Sequence, residues 1–571
     1  MKNSKLFWLL GLVLVLSAFL AACGGGDDTT ETPETDGNTE ETPADEEASG
    51  DMDSEQVLNL MESAEIPSMD SAVAEDTVAF NILNNVNEGL FRLNEENLAV
   101  PALAEAEPEV SEDGLTYTFK LRDANWSNGE PVTANDFVFS WQRAVDPATG
   151  SPYGPYMMAG TILNATQIAA GEMDKAELGI KAVDEKTLEV TLERPTPYFM
   201  SLMAFGTFYP QNEAFVTEKG DAYASNSENI LYNGPFTLTN WDGTGLTWSM
   251  EKNPEYWDAE TVNLDTINVD VVKEPATTVN LYNSGEKDHA ILNGEFARQY
   301  GEDEEVVSDL EPTVFYLKFN QERNGEQTAL MNVNIRKAIA MAFNKQDLVD
   351  VVLANGSLPA NYLVPTEFTF DESNADFREV NGDMLEFNAE EAKELWATGM
   401  EEEGLTELTL ELLGGDTETA KNMDAYLKDQ LETNLEGLTV DLKAVPFSVR
   451  LELDEAQDYD LQTSGWGPDY QDPMTFIDLF VTGSSHNLMS YSNPEFDALV
   501  ESAKGELAQD SAARWEAMAQ AEKILLEDDA AIAPIYQRGE KALQKPYVNN
   551  IFKHPFGGEY SYKWAYISGK E

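Results

Sequence analysis

Residue 23 is the only cysteine in a chain of 571 residues. That fact removes several ways of holding a fold together: an intramolecular disulfide, a thiolate zinc module and an iron–sulfur cluster. The fold must rest on apolar burial instead. Hydrophobic residues make up 42% of the chain and aromatic residues 10%, enough for large cores. At ~100–200 residues per domain, the length implies several domains or lobes. Acids outnumber bases by 105 to 35, a formal net charge of −70. Gripping a phosphate backbone needs a basic face, so nucleic acid is not expected as a partner. The same excess keeps a surface hydrated and self-repelling, which suits a saline or alkaline habitat.

The position of the cysteine sets the compartment. Lys2 and Lys5 precede an apolar run over residues 6–18, the arrangement of a signal peptide. Leu20-Ala21-Ala22-Cys23 follows, then Gly24. That string resembles the bacterial lipobox, which implies a signal peptide of residues 1–22 and a diacylglyceryl group on the Cys23 thiol. Two acyl chains suffice for stable anchoring. Gly, Asp, Glu, Thr and Pro dominate from residue 24 to about 55, with almost no large apolar residue. Residues 23–55 are therefore expected to form an acidic tether that cannot offset its ordering entropy. No Lys or Arg lies between Lys5 and Arg92, so anionic lipid repels the stem and extends it outward. No later apolar stretch approaches the ~20 residues of a membrane span. The expected location is the extracytoplasmic face of the cell membrane, with the surface of a Gram-positive bacterium favoured.

From about Val57 onward strands and helices are mixed, without a repeat. Leu115, Tyr117, Phe119 and Leu121 alternate with polar residues, which predicts a half-buried strand. Leu188, Val190 and Leu192 repeat the pattern before Pro195 and Pro197. Ile335, Ala338, Ile339, Ala342 and Phe343 fall on one helix face. Trp515, Met518 and Leu525 lie on another helix, predicted over about 511–526. The fold class is mixed α/β with more than one lobe.

Catalytic motifs are sparse. The histidines, His289, His486 and His554, lack ligand-type spacing. The sequence contains no G-x-S-x-G elbow, no phosphate-binding G-x-x-x-x-G-K-[ST] loop and no EF-hand loop. A carboxylate pair could hydrolyse glycosides, but among 105 acids any adjacent pair is uninformative. No metal, cofactor or enzymatic activity is expected.

Several stretches, in order, carry a resemblance: Asn87-Glu88-Gly89-Leu90, Gly114 to Phe119, Trp126-Ser127-Asn128-Gly129-Glu130-Pro131 through Phe137, Asn233-Gly234-Pro235-Phe236, Asn253 to Trp257, Asn334 to Ile339, and Gly465-Trp466 through Asp472-Pro473. Together they resemble the oligopeptide-binding proteins of ABC importers, the peptide/nickel solute-binding family. The resemblance implies a two-lobe clamshell of the class II periplasmic-binding type with an extra inserted domain. Carried over, lobe I comprises 56–88, 208–313 and 536–571, the inserted domain 89–207, and lobe II 314–535. It also implies an oligopeptide ligand, an ABC permease as partner and a monomeric receptor.

By the same resemblance Asp469 meets the α-ammonium of the peptide. Gly465 offers backbone groups, Trp466 an aromatic wall, Tyr153 a hydroxyl for the ligand backbone, and Phe447 a pocket aromatic. Where the family places Arg or His for the carboxylate end, this chain has Thr463, Asp454 and Ala420, so the C-terminus is expected to be fixed less tightly. Two rival readings stay open: a same-fold receptor for cello-oligosaccharide, haem or a nickel chelate, and a secreted acidic glycoside hydrolase.

Overall fold

The alternating segments pair as their period requires. In the computed structural model, which describes residues 52–570, Thr116–Lys120 and Thr187–Thr191 run antiparallel, with Phe119 opposite Leu188. Glu109–Val110 and Ile180–Asp184 complete this four-stranded sheet. Its buried side carries Phe119, Leu188 and Val190, and the helix Ala134–Val145 packs close to it. A capping box starts that helix: Asp136 accepts from the Thr133 backbone N–H at 2.8 Å and from the Trp126 indole at 3.4 Å. The Trp126–Phe137 motif is thus a strut holding buried Trp126, Phe137 and Trp141.

A second sheet sets Val57–Glu62 parallel to Thr266–Val271, followed by Thr247–Lys252 and Phe236–Thr239 in antiparallel order. Three of the ordered motifs meet beside it in one buried knot. Glu88 binds Arg92 at 2.7 Å, the Tyr256 hydroxyl at 2.7 Å and the Trp257 indole at 2.6 Å. Asn233 accepts from the Glu88 N–H and donates to the Glu88 carbonyl, both at 3.0 Å. A Cβ on Gly234 would stand 2.6 Å from the Asn87 nitrogen, so only glycine lets these backbones meet.

The third sheet has seven strands. His289–Leu292, Ile532–Gln544, Val306–Phe319, Leu461–Trp466, Leu408–Gly415 and Leu438–Val445 follow in that order, and Leu358–Pro359 pairs with Ile532–Gln544. Residues 313/314 and 535/536 fall inside its two longest strands, the first beside a register shift between Leu310 and Val314. The helix Val333–Met341 buries Ile335, Ala338 and Ile339 as its period predicts. It packs on Ala389–Glu403, where Gly399 permits the approach of Ile335. The helix Ser511–Lys523 continues into a π-turn over Ile524–Asp528.

The chain is tied into the fold from Asp53, whose N–H donates to the Ile567 carbonyl at 3.1 Å. The signal peptide, Cys23 and nearly all of the predicted tether lie outside the described residues. Among the described residues no helix is long and apolar enough to cross a membrane.

Candidate functional site

Of the ordered motifs, the one that reaches a large cavity is Gly465 to Asp469. The cavity has a volume of about 550 Å³ and is lined by Tyr153, Phe447, Gly465, Trp466 and Asp469 together, a size typical of small-ligand sites. Leu461–Trp466 pairs along its whole length with Val306–Phe319, Gly465 standing opposite Phe315. A Cβ on Gly465 would lie 2.9 Å from the Phe315 ring, which stacks on Tyr536 at 4.6 Å. On its other side the same strand pairs with Leu408–Gly415 only at Leu461 and Gln462. The backbone of residues 464–466 therefore presents an unpaired edge beside the cavity.

After Trp466 the chain turns at Gly467-Pro468 and delivers Asp469 into the wall. Asp469 is 5% exposed. It accepts from the Tyr153 hydroxyl at 3.2 Å, and its N–H donates to Thr475 Oγ1 at 3.0 Å. Among the described residues no Lys or Arg forms an ion pair with it. Burial pushes its carboxyl well above the ordinary carboxylate range. The Tyr153 hydroxyl, which the resemblance assigned to the ligand backbone, is engaged on this carboxyl. Tyr153 opens the helix Tyr153–Met158, held near Ala144 because Gly154 has no side chain to strike the Ala144 carbonyl.

The Trp466 ring lies parallel to Tyr153, with centroids 6.1 Å apart and an interplanar angle of 7°. His486 meets both edge-on, at 4.9 Å from Tyr153 and 5.0 Å from Trp466. Ser485 Oγ donates to the Pro152 carbonyl at 2.8 Å and lies 3.2 Å from His486 Nδ1. Its one proton is thus committed, so Nδ1 carries the imidazole hydrogen and donates to Ser485. Burial lowers the His486 pKa to about 3, keeping the ring neutral.

Ten Asp and Glu side chains line the cavity against five Lys and Arg among the described residues. Seven of these acids fall into two groups. Burial and neighbouring acids push Glu75 up to about 7, and burial raises Asp76 to about 7, near the Lys318–Asp454 ion pair of 2.5 Å. Elsewhere burial, helped by Glu559, raises Glu62 to about 7. Beside it Glu311 binds Arg538 and Lys553, and Lys553 reaches Glu540 at 2.8 Å. Such a lining favours a ligand that brings positive charge and hydrogen-bond donors. No group of three His, Cys, Asp or Glu among the described residues is placed to hold a metal ion.

Phe447 opens the helix Phe447–Glu455 and lines the cavity. Thr463, Asp454 and Ala420 line it too, but Asp454 is paired with Lys318, and Thr463 Oγ1 donates to Asp424 at 3.0 Å. The sequence reading missed His486, Lys318 and Arg450. The signal for Arg450 was its place one helical turn after Phe447, which puts both on one face.

Residues 99–487 match the family described as bacterial extracellular solute-binding proteins, family 5 middle. The chain is 34% identical over 569 residues to the dipeptide-binding protein DppE of Bacillus subtilis, covering 99% of each. It is 35% identical to the dipeptide-binding protein of Lactococcus lactis over 514 residues, 88% of this chain and 93% of that one. The solved structure of Listeria monocytogenes OppA bound to peptide superposes with a TM-score of 0.88 at 50% identity, covering 91% of this chain and all of that one. Its fold is the two-lobe α/β fold of these binding proteins, and the chain belongs to the bacterial extracellular solute-binding proteins of family 5.

Proposed function

We propose that this chain is a lipid-anchored receptor that captures oligopeptides outside the cell and delivers them to an ABC permease. The observation that carries the reading is a buried carboxyl without a cation, Asp469, beside the unpaired strand edge of residues 464–466. A peptide supplies what both lack: an α-ammonium for the carboxyl and a main chain to extend the sheet. The aromatic wall of Trp466 and Tyr153 and the roomy acidic cavity, with space for bridging water, then tolerate varied side chains. Dipeptide- and peptide-binding relatives of high coverage support the ligand class. The lipobox at Cys23 supports anchoring. The proposed division into a discontinuous lobe I (56–88, 208–313, 536–571), an inserted domain (89–207) and lobe II (314–535) rests on the family order of the motifs, as does a monomeric state.

The test is calorimetric titration of the purified protein with one peptide in free and N-acetylated forms. The free peptide is expected to bind and the acetylated one to bind at least tenfold more weakly. Equal affinity of the two forms would remove Asp469 as the ammonium site, and failure of all peptides to bind would remove the reading.

A further inference from the structure

Asp469 is not the only carboxyl buried behind the aromatic wall. Asp478, the residue after the helix Met474–Ile477, is also 5% exposed. It accepts from the Tyr156 hydroxyl at 2.8 Å and from Lys504 Nζ at 3.0 Å. Lys504 is the last residue of the helix Pro494–Lys504. Thr475 links the two acids: its Oγ1 accepts from the Asp469 N–H at 3.0 Å, and its carbonyl stands 3.2 Å from the Tyr156 hydroxyl. The Tyr156 ring in turn lies against the wall, with centroids 5.8 Å from Tyr153, 6.2 Å from Trp466 and 4.5 Å from His486.

An amide at position 478 could accept from Tyr156 equally well. The carboxylate instead buries a charge, which needs a lysine to hold it. What a charge does and an amide does not is act at a distance on groups that ionise nearby. The titratable groups closest to the Asp469 carboxyl are Tyr153, Tyr156 and Asp478, the last paired with Lys504. Farther out stand Tyr470, stacked on Tyr198 at 4.3 Å, and the Asp472–Arg514 ion pair at 2.8 Å. On the cavity side are Glu75, Asp76, Lys318 and His486. Asp478 is the charge among these that bears on Asp469 itself.

Resting on the peptide reading above, we infer that Asp478 is a positioning residue for capture: a second carboxylate, held by Lys504, that backs Asp469 and draws a fully charged ammonium to it. The charge acts in two opposed ways. In the empty cavity it adds to burial in disfavouring the ionised form of Asp469. Once an ammonium arrives, the same charge attracts it. Where Asp469 must first lose its proton to bind, the two effects cancel; where Asp469 is already ionised, the attraction alone remains. Lys504 and the Tyr156 hydroxyl sustain the Asp478 charge against burial. The selectivity that follows is for a ligand bearing a positive charge at this end, not merely a hydrogen-bond donor.

The experiment titrates wild type, Asp478→Asn and Asp478→Asn/Lys504→Met by calorimetry with one peptide, free and N-acetylated, from about pH 5 to 9. The double variant removes the lysine that the single one strands, so loss of the acidic charge is read without an unpaired buried cation. The quantity compared is the ratio of wild-type to variant affinity, in which the peptide's own titration cancels. For the free peptide and either variant that ratio is expected near one at pH 5, rising to roughly three- to tenfold by pH 9, less than the ten- to hundredfold of a direct charge-assisted contact. For the acetylated peptide it is expected near one throughout. A packing defect weakens both peptides by one factor at every pH; that result overturns the inference, as does a ratio of one for the free peptide across the whole range. Preference for the free peptide that ignores Asp478 defeats this inference alone. Wild type that binds both forms alike, or neither, defeats the ammonium reading beneath it.

Discussion

Replacing Asp469 by Asn separates what this carboxyl does for the ligand from what it costs the fold. Without ligand, Asp469 is buried, accepts from Tyr153, has no cation partner and titrates well above the ordinary carboxylate range. A carboxyl whose folded pKa is raised binds more protons in the folded than in the unfolded state. Its contribution to stability is therefore most favourable below the unfolded value of ~3.9 and declines as pH rises through the folded value. Asn is nearly isosteric and stays neutral, so the ligand-free variant should lose less stability between pH 5 and 8 than wild type. Other carboxyls raised by burial, among them Glu62, Glu75 and Asp76 to about 7 and Asp136 and Asp424 to about 6, contribute a decline that is the same in both proteins.

Binding should respond in the opposite direction. A peptide ammonium favours the ionised carboxyl, so capture expels a proton from Asp469. Wild-type affinity should thus climb by up to tenfold per pH unit until pH passes the ligand-free value, since one unit is worth ~1.4 kcal/mol. The Asp469→Asn variant cannot ionise at this position, and at neutral pH it forfeits a charge-assisted hydrogen bond of ~1.5–3 kcal/mol, roughly ten- to a hundredfold in Kd. The assay is calorimetric titration at several pH values, in buffers of different ionisation enthalpy to count the released proton. Thermal unfolding without ligand runs in parallel. If Asp469→Asn binds as tightly as wild type and keeps its pH slope, the carboxyl is not the anchor.

Two other outcomes test separate parts of the molecule. Arg378 forms a buried ion pair with Glu522, whose carboxylate also accepts from the Leu363 and Val364 N–H groups at 3.0 and 2.9 Å. Arg378→Met should cost ~3–5 kcal/mol in denaturant unfolding by stranding that charge, and a loss below ~1 kcal/mol would contradict the account. Cys23→Ala should abolish lipid attachment and release the protein from the membrane fraction, whereas undiminished retention would remove the anchor.

How far the sequence reached depended on the range of the interaction. Period-two alternation around Phe119 and Leu188 and the helical face of Ile335 and Ile339 were legible because they follow from local geometry. The lone cysteine likewise excluded disulfides and pointed to an anchored compartment from position and count alone. Resemblance of the motifs indicated Asp469, Trp466, Gly465, Tyr153 and Phe447, and the fold places all five around one cavity. What tertiary structure decided was which motif residues serve the fold and which serve the site. Glu88, Asn233 and Tyr256 are far apart in the chain yet close one buried knot, while Gly465 and Asp469 line the cavity. Tertiary structure also decided charge. In a sequence with 105 acids and 35 bases no single arginine is conspicuous. Among the described residues, only the folded arrangement gives four of the five cavity cations a carboxylate and leaves Arg450 without one, because ion pairing depends on distances that chain separation does not encode.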